Sequence, residues 1–152
     1  MFMRKIALAA VAAAALTVSA APAMADDAGE IEYRKAVMEA IGGHTKALFG
    51  IINGRTGNNA HLASHAAALA DLSQTAAGIF PEGSDFGDTA ALPAIWEQPG
   101  EFEQAVKMFQ DAAATLNTAA QSGDMSAIGQ AAGGLGKSCK NCHAGFRQKD
   151  NR

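Results

Sequence analysis

Proline, β-branched runs and basic clusters are all scarce in this chain of 152 residues. Only four prolines occur, and those beyond the N-terminal segment are Pro81, Pro93 and Pro99, which lie between segments of helical pattern. Because proline breaks helix interiors and β-branched runs favour strands, their scarcity predicts a chain that is helical throughout. The 12 lysines and arginines form no basic patch, which excludes the electrostatic surface of a nucleic-acid-binding protein.

One apolar run stands at the N-terminus. Two basic residues within Met1–Lys5 precede an alanine-rich stretch over Ile6–Ala21, and Ala23-Met24-Ala25 is a small-x-small cleavage site. This pattern is typical of a secretory signal peptide. The run is short and alanine-rich for a spanning helix, so residues 1–25 are interpreted as a cleaved signal rather than a membrane anchor. The mature chain then begins at Asp26, in the periplasm and free of the membrane.

Residues 26–152 have a length that suits one domain. Without the two basic residues of the signal, ten basic residues stand against fifteen acidic ones, so the mature net charge is about −5. A mildly acidic surface favours solubility and also suits a basic redox partner. The sequence does not identify that partner.

The only two cysteines stand close together near the C-terminus, in Cys139-Lys140-Asn141-Cys142-His143. This is the attachment motif of c-type haem. Two thiols at this spacing add across the two vinyl groups of one haem, and His143 is then held beneath the iron as an axial ligand. One covalent haem c is the predicted cofactor, and the export signal agrees because c-type haem is attached after export in bacteria.

Three other uses of the cysteine pair stay open at this point. An oxidising compartment permits a disulfide. A thioredoxin-like dithiol belongs near a βαβ pattern, which is absent before the motif. A zinc site needs more ligands, namely His143 and one of the distant His44, His61 or His65.

Helical periodicity recurs in four segments. They cover about residues 28–53 and 58–79, begin again near Pro99, and begin a last time after Asp124, which is a plausible N-cap. The linker of about residues 80–98 contains prolines and glycines and is predicted to be a loop. Four helices around one core predict an all-α, antiparallel four-helix bundle.

Five residues of the last segment, with both cysteines among them, share one helical stripe. From Ile128 the offsets are 7, 11, 14 and 18, which reach Leu135, Cys139, Cys142 and Phe146. A stripe at this spacing faces the core, so the haem is expected to be held from an internal face of the last helix. A core built otherwise from small alanines is expected to pack poorly without the haem.

These residues resemble the class II c-type cytochromes, which include cytochrome c′ and the low-spin cytochrome c-556 type. The likeness covers essentially the whole mature chain, and the C-terminal position of the haem motif is part of it. The matching stretches are Gly136–His143 with Phe146-Arg147, Tyr33-Arg34 with Met38, and the loop residues Phe80, Gly83-Ser84 and Pro93–Trp96.

The resemblance implies a role for each site residue. Cys139 and Cys142 would carry the thioethers, and His143 would be the proximal ligand. Arg34 would pair with a haem propionate, unless it is a solvated surface charge. Met38 would face the distal side of the haem.

Whether Met38 binds iron decides between two functions. If its sulfur binds iron, the haem is six-coordinate and low-spin, and the protein is a periplasmic single-haem electron carrier with His143/Met38 ligation. The alternative is a five-coordinate, high-spin cytochrome c′ that binds nitric oxide or carbon monoxide at an open distal site. Met38 also suits simple core filling, and Gly42-Gly43 nearby either permits a close approach or softens the helix. No acid–base pair stands beside Met38, so an enzyme is not expected.

The remaining histidines are expected on helix faces, with His44 a minor alternative axial ligand. His61 and His65 lie one turn apart, which is a weak metal-binding pattern without a carboxylate. A homodimer through the first two helices is a further expectation, with Leu48, Ile51 and Ile52 supplying part of the face or, alternatively, part of the core.

Overall fold

A computed structural model describes residues 27–149. Five α-helices follow one another, and a 3₁₀ turn over Asn59–His61 precedes the second. Their bounds are α1 (Asp27–Ile52), α2 (Leu62–Thr75), α3 (Ala94–Glu97), α4 (Pro99–Ser122) and α5 (Met125–Phe146). The predicted signal peptide lies outside the described residues. None of the helices among residues 27–149 combines the length and the hydropathy of a membrane-spanning segment.

The all-α bundle is confirmed, since the four long helices occupy the four predicted segments. Two details differ. The second helix ends at Thr75 rather than Ile79 because the chain tightens there, with Ala76 N–H bonding Ser73 O and Gly78 N–H bonding Thr75 O. The linker prediction was wrong over Ala94–Glu97, which forms the short α3 directly after Pro93. Proline is compatible with a helix start because it has no amide hydrogen to satisfy.

The packing of the bundle is uneven around its circumference. Helix α1 packs on α2, α2 on α4, and α4 on α5, each through an extensive interface. The pair α1 and α5, which would close the ring, makes far fewer contacts. A seam therefore runs between the first and last long helices.

The core is apolar and includes many small side chains. Leu48, Leu69, Leu116 and Leu135 are fully buried, and five alanines are buried among them: Ala66, Ala76, Ala113, Ala120 and Ala132. Leu48 and Ile51 belong to this core and Ile52 packs against it, so the core alternative holds for these three residues rather than an exposed dimer face.

Helix α5 begins at the predicted N-cap. The Asp124 carboxylate accepts hydrogen bonds from Ser126 N at 2.8 Å and Ala127 N at 3.3 Å. Gly123 precedes it with φ of 70°, a left-handed conformation that ends α4 and favours glycine. The turn therefore fixes where α5 starts, and with it the register of the haem motif.

Replacing Asp124 with alanine is expected to lower the free energy of unfolding by about 1 kcal/mol, because two amide groups lose their acceptor. Urea denaturation of the holoprotein measures this. Asp111→Ala is the control, since the Asp111 carboxylate pairs with Lys107 on the exposed surface and its loss should cost about 0.5 kcal/mol or less. Equal effects of the two substitutions would contradict the capping role.

Candidate functional site

A cavity of about 610 Å³ lies along the seam between α1 and α5. Its volume is within the range of small-molecule and cofactor sites. Helices α1, α4 and α5 and the linker before α3 all contribute to its wall. The residues central to the argument are Arg34, Met38, Thr45, Cys139, Cys142 and His143.

The two cysteines stand on the α5 side of this cavity. Both are partly buried and both are free thiols. Burial raises the pKa of each thiol; a hydrogen bond with Ser138 opposes this at Cys139, and the neighbouring Cys139 adds to it at Cys142. Both thiols therefore line a largely apolar space, which is where the vinyl groups of a haem would lie.

The structure does not favour the other uses of the cysteine pair. The thiols are placed as free groups rather than as a disulfide. Residues 27–149 contain no group of three or more histidine, cysteine, aspartate or glutamate side chains that could hold a metal ion, so zinc has no set of ligands around the motif. The only β-pairing described is an isolated bridge between Ala91 and Arg147, which is no βαβ unit.

His143 follows the second cysteine on the last turn of α5. The residue as a whole is exposed, but its side chain reaches the cavity wall. Desolvation lowers the pKa of the imidazole, and the positive charge of Arg147 lowers it further. A neutral imidazole with a free lone pair is the form that ligates iron.

Met38 lies on the α1 side of the cavity. It is partly buried and packs against the core. Ile41 and Gly42, one turn further along, line the same wall. A Cβ added at Gly42 or Gly43 would meet no atom within 4 Å, so these glycines do not serve the close approach of another helix.

The Thr45 hydroxyl is a buried polar group on the cavity wall. Its Oγ1 is shielded from solvent and has no hydrogen-bond partner. An unsatisfied buried hydroxyl costs about 1–3 kcal/mol, so such groups are normally paired in a complete structure. An apolar cavity with two free thiols, a neutral imidazole and one unpaired hydroxyl fits a haem with polar groups at its edge.

Arg34 is buried, with 4% of its surface exposed. One terminal nitrogen donates to Ser84 Oγ at 2.6 Å and to Ile79 O at 3.4 Å; the other donates to Ser84 O at 2.7 Å and to Thr89 Oγ1 at 2.9 Å. The guanidinium also lies 5.1 Å from the centre of the Phe80 ring. Burial lowers the pKa of Arg34, while Glu30 acts in the opposite direction.

These contacts bear on both predicted roles of Arg34. The side chain is not a solvated surface charge, because it is buried. Its four terminal N–H groups are directed at the linker, which leaves only Nε–H for a haem propionate. The propionate role stays a prediction, and the observed role is to hold the linker against α1.

The linker is also tied to the end of α5. Leu92 N donates to Phe146 O at 3.0 Å, and Gln148 N donates to Ala90 O at 2.8 Å. On the α1 side, Lys35 Nζ lies 2.6 Å from Asp88 Oδ2 at the surface. One strap therefore spans the seam, with Arg34 at one end and the residues after the haem motif at the other. Sequence reasoning missed this role of Ser84 and Thr89, since a serine and a threonine in a loop carry no recognisable pattern.

The other histidines lie away from the cavity. His44, His61 and His65 are absent from its wall, so the structure does not support His44 as an axial ligand. His44 and His65 instead approach each other, with their Nδ1 atoms 3.0 Å apart.

Comparisons with known proteins agree on one family. A family model described as Cytochrome C′ matches residues 29–147. The chain is 39% identical over 119 residues to cytochrome c′ of Pararhodospirillum photometricum, covering 78% of this chain and 95% of that protein. It is also 37% identical over 126 residues to cytochrome c-556 of Agrobacterium fabrum, covering 80% of this chain and 83% of that protein.

Solved structures are similar over the same region. Cytochrome c prime from Shewanella frigidimarina superposes with a TM-score of 0.79 at 35% identity, covering 83% of this chain and 99% of the other. A nitric oxide complex of a cytochrome c prime mutant from Alcaligenes xylosoxidans superposes with a TM-score of 0.76 at 28% identity, covering 82% and 98%. A carbon monoxide-bound variant from that organism is a further match, with a TM-score of 0.76, 28% identity and the same coverage.

Proposed function

The chain belongs to the cytochrome c′ family, and from this premise we propose that it binds nitric oxide or carbon monoxide at an open distal face of its haem. Haem c, held covalently, is the cofactor of this family, and the cavity between α1 and α5 fits it. When bound, the haem supplies an iron centre for ligand binding and electron exchange. The family is one of haem proteins that carry electrons or bind gases, not of classical enzymes.

The proposed attachment uses three residues of α5. Cys139 and Cys142 form the two thioether links, because both thiols face the cavity. His143 supplies the proximal nitrogen, because its imidazole is neutral at physiological pH and follows Cys142 directly. The last turns of α5 hold all three, and the Asp124 cap fixes where that helix begins.

The single observation in favour of an open distal face is that solved relatives include nitric oxide and carbon monoxide complexes. The chemistry of the α1 wall is consistent with it. Met38, Ile41 and Gly42 contribute apolar surface to that wall, which suits small neutral ligands. The charged Lys35, one residue after Arg34, is exposed.

An electron carrier with His143/Met38 ligation is the second candidate. The observation in its favour is the position of Met38 on the cavity wall, partly buried and packed against the core. Relatives named cytochrome c-556 also match most of the chain. The comparisons as a whole favour the open face, which sequence analysis placed second.

Ferric spectra and carbon monoxide titration of the Met38→Ala holoprotein separate the two candidates. For an open site we expect a high-spin ferric haem that is unchanged by the substitution. Carbon monoxide association to the ferrous protein should become faster, by about tenfold or more, because a side chain that lines the cavity is removed. Resonance Raman and stopped-flow measurements read these two quantities.

Met108→Ala is the matched control, because Met108 is 44% exposed on α4 and does not line the cavity. It should change neither the spin state nor the association rate. A low-spin ferric wild type that becomes high-spin only in Met38→Ala would overturn the open site and establish methionine ligation.

Export belongs to the same proposal. Residues 1–25 act as a signal peptide, and the mature cytochrome domain of residues 26–152 resides in the periplasm. The matched relatives are bacterial cytochromes, which supports this location. The domain exchanges electrons with a redox partner that the sequence leaves unidentified.

A further inference from the structure

Two histidines meet on the side of the bundle formed by α1 and α2. His44 belongs to α1 and His65 to α2, and the Nδ1 atoms of their rings lie 3.0 Å apart. The ring centres are 5.2 Å apart and the ring planes are inclined by 63°. Both residues are partly buried and neither lines the haem cavity, so the pair has no part in the function proposed above.

A third histidine lies one helical turn from this pair. His61 ends the 3₁₀ turn that leads into α2, four residues before His65. His61 and His65 line a second cavity of about 400 Å³, together with Thr56 and Asn58. Burial lowers the pKa of His65, and the proximity of His44 and then His61 lowers it further. His65 thus lies between His44, which its ring contacts, and the second cavity that His61 also lines, and its imidazole is neutral at physiological pH.

We propose that His44, His61 and His65 bind a divalent transition-metal ion, such as Cu²⁺ or Zn²⁺, that joins α1 to α2. Neutral imidazole is a common ligand for these ions, and residues one helical turn apart lie on one face and can share a metal. The fold adds a further histidine, His44, which approaches His65 from a different helix. Sequence spacing alone gives only His61 and His65.

The distance between His44 and His65 is compatible with a shared metal. Two nitrogens bound at about 2.05 Å to one ion lie about 2.9 Å apart at a right angle and about 3.3 Å apart at a tetrahedral angle. The observed 3.0 Å falls within this interval. In this structure, the two Nδ1 atoms lie nearly on the line between the ring centres, so they face each other as in a hydrogen bond. Both rings must turn so that their lone pairs converge beside that line.

His61 must also move. Within residues 27–149 no group of three ligands is already assembled, so the exposed imidazole of His61 stands apart and reaches the pair by rotating its side chain. Space for this rotation exists, because His61 lines the second cavity beside His65. Lys46 lines the same cavity, and its positive charge opposes a cation there. An imidazole set without carboxylates favours Cu²⁺ and Zn²⁺ over Mg²⁺ or Ca²⁺.

The test uses the holoprotein after treatment with a chelator. Calorimetric titration with Cu²⁺ is expected to give one site per chain. Electron paramagnetic resonance should show the hyperfine splitting of imidazole nitrogen on copper. The variants His44→Gln and His65→Gln should each weaken binding by tenfold or more, and His61→Gln should weaken it severalfold. Zn²⁺ should raise the melting temperature of the wild type but not of His44→Gln.

Ser64→Ala is the control, since Ser64 is exposed on α2 beside His65 and should bind Cu²⁺ as the wild type does. An unchanged haem spectrum and far-UV circular dichroism confirm that each variant is folded. Equal Cu²⁺ affinity of the wild type and the His44→Gln or His65→Gln variants would overturn the proposal, as would saturation by Mg²⁺ at similar concentrations. An unaltered affinity in His61→Gln would overturn the three-imidazole site.

Discussion

The double substitution Cys139→Ser and Cys142→Ser is expected to give a colourless protein without a cooperative thermal transition. Both thiols that reach the cavity are then lost, so no thioether holds the haem. The protein should be produced in cells that mature c-type cytochromes, and mass spectrometry with an absorption spectrum shows whether haem is attached. Far-UV circular dichroism against temperature measures the transition.

The expected loss of stability follows from the size of the cavity. A leucine-to-alanine substitution in a core costs about 2–5 kcal/mol, and an engineered cavity of this kind has a volume of about 150 Å³. The haem cavity is about 610 Å³, and it lies where α1 and α5 make few contacts with each other. Without the haem, these two helices have little to pack against. Free energies of unfolding of about 5–15 kcal/mol do not tolerate such a void.

Lys140→Ala with Asn141→Ala is the matched control for the cysteine variant. Both residues stand between the cysteines and are exposed, so their loss should leave the haem and the melting curve intact. Cysteine-free protein that melts cooperatively within a few degrees of the wild type would contradict the packing role of the haem. Haem still bound covalently in that variant would contradict the attachment itself.

The sequence was sufficient for the features that depend on local pattern. Helical periodicity located the four long helices, and the Asp124 cap followed from residue type and position. The haem motif was readable because covalent chemistry requires two thiols at one fixed spacing and a histidine beside them. In each case a few neighbouring residues contain all the necessary information.

The features that sequence missed depend on residues far apart in the chain. Arg34 contacts Ser84 across 50 positions, and His44 contacts His65 across 21. No periodicity connects such pairs, because the separation reflects loop lengths and helix packing. The short helix α3 was missed for a related reason: four residues are too few to display a helical period.

Arg34→Ala is expected to lower the free energy of unfolding of the holoprotein by about 3 kcal/mol, or the melting temperature by roughly 10 °C. The substitution removes a buried cation together with the hydrogen bonds that hold Ser84 and Thr89 against α1. The acceptors at Ser84 and Ile79 are then left without their donor in a buried region. Thermal denaturation followed by far-UV circular dichroism gives the change.

Arg55→Ala is the control with the same arginine-to-alanine change. Arg55 is exposed, so its loss should change the free energy of unfolding by about 0.5 kcal/mol or less. Ser84→Ala distinguishes the linker role from a propionate role. If Arg34 chiefly holds the linker, Ser84→Ala loses the hydroxyl that accepts from Arg34 and donates to Pro81 O, and it should cost about 1–2 kcal/mol. The opposite result would be a Ser84→Ala variant of unchanged stability and an Arg34→Ala variant that alters the reduction potential but not the melting temperature. That result would assign Arg34 to the haem propionate instead.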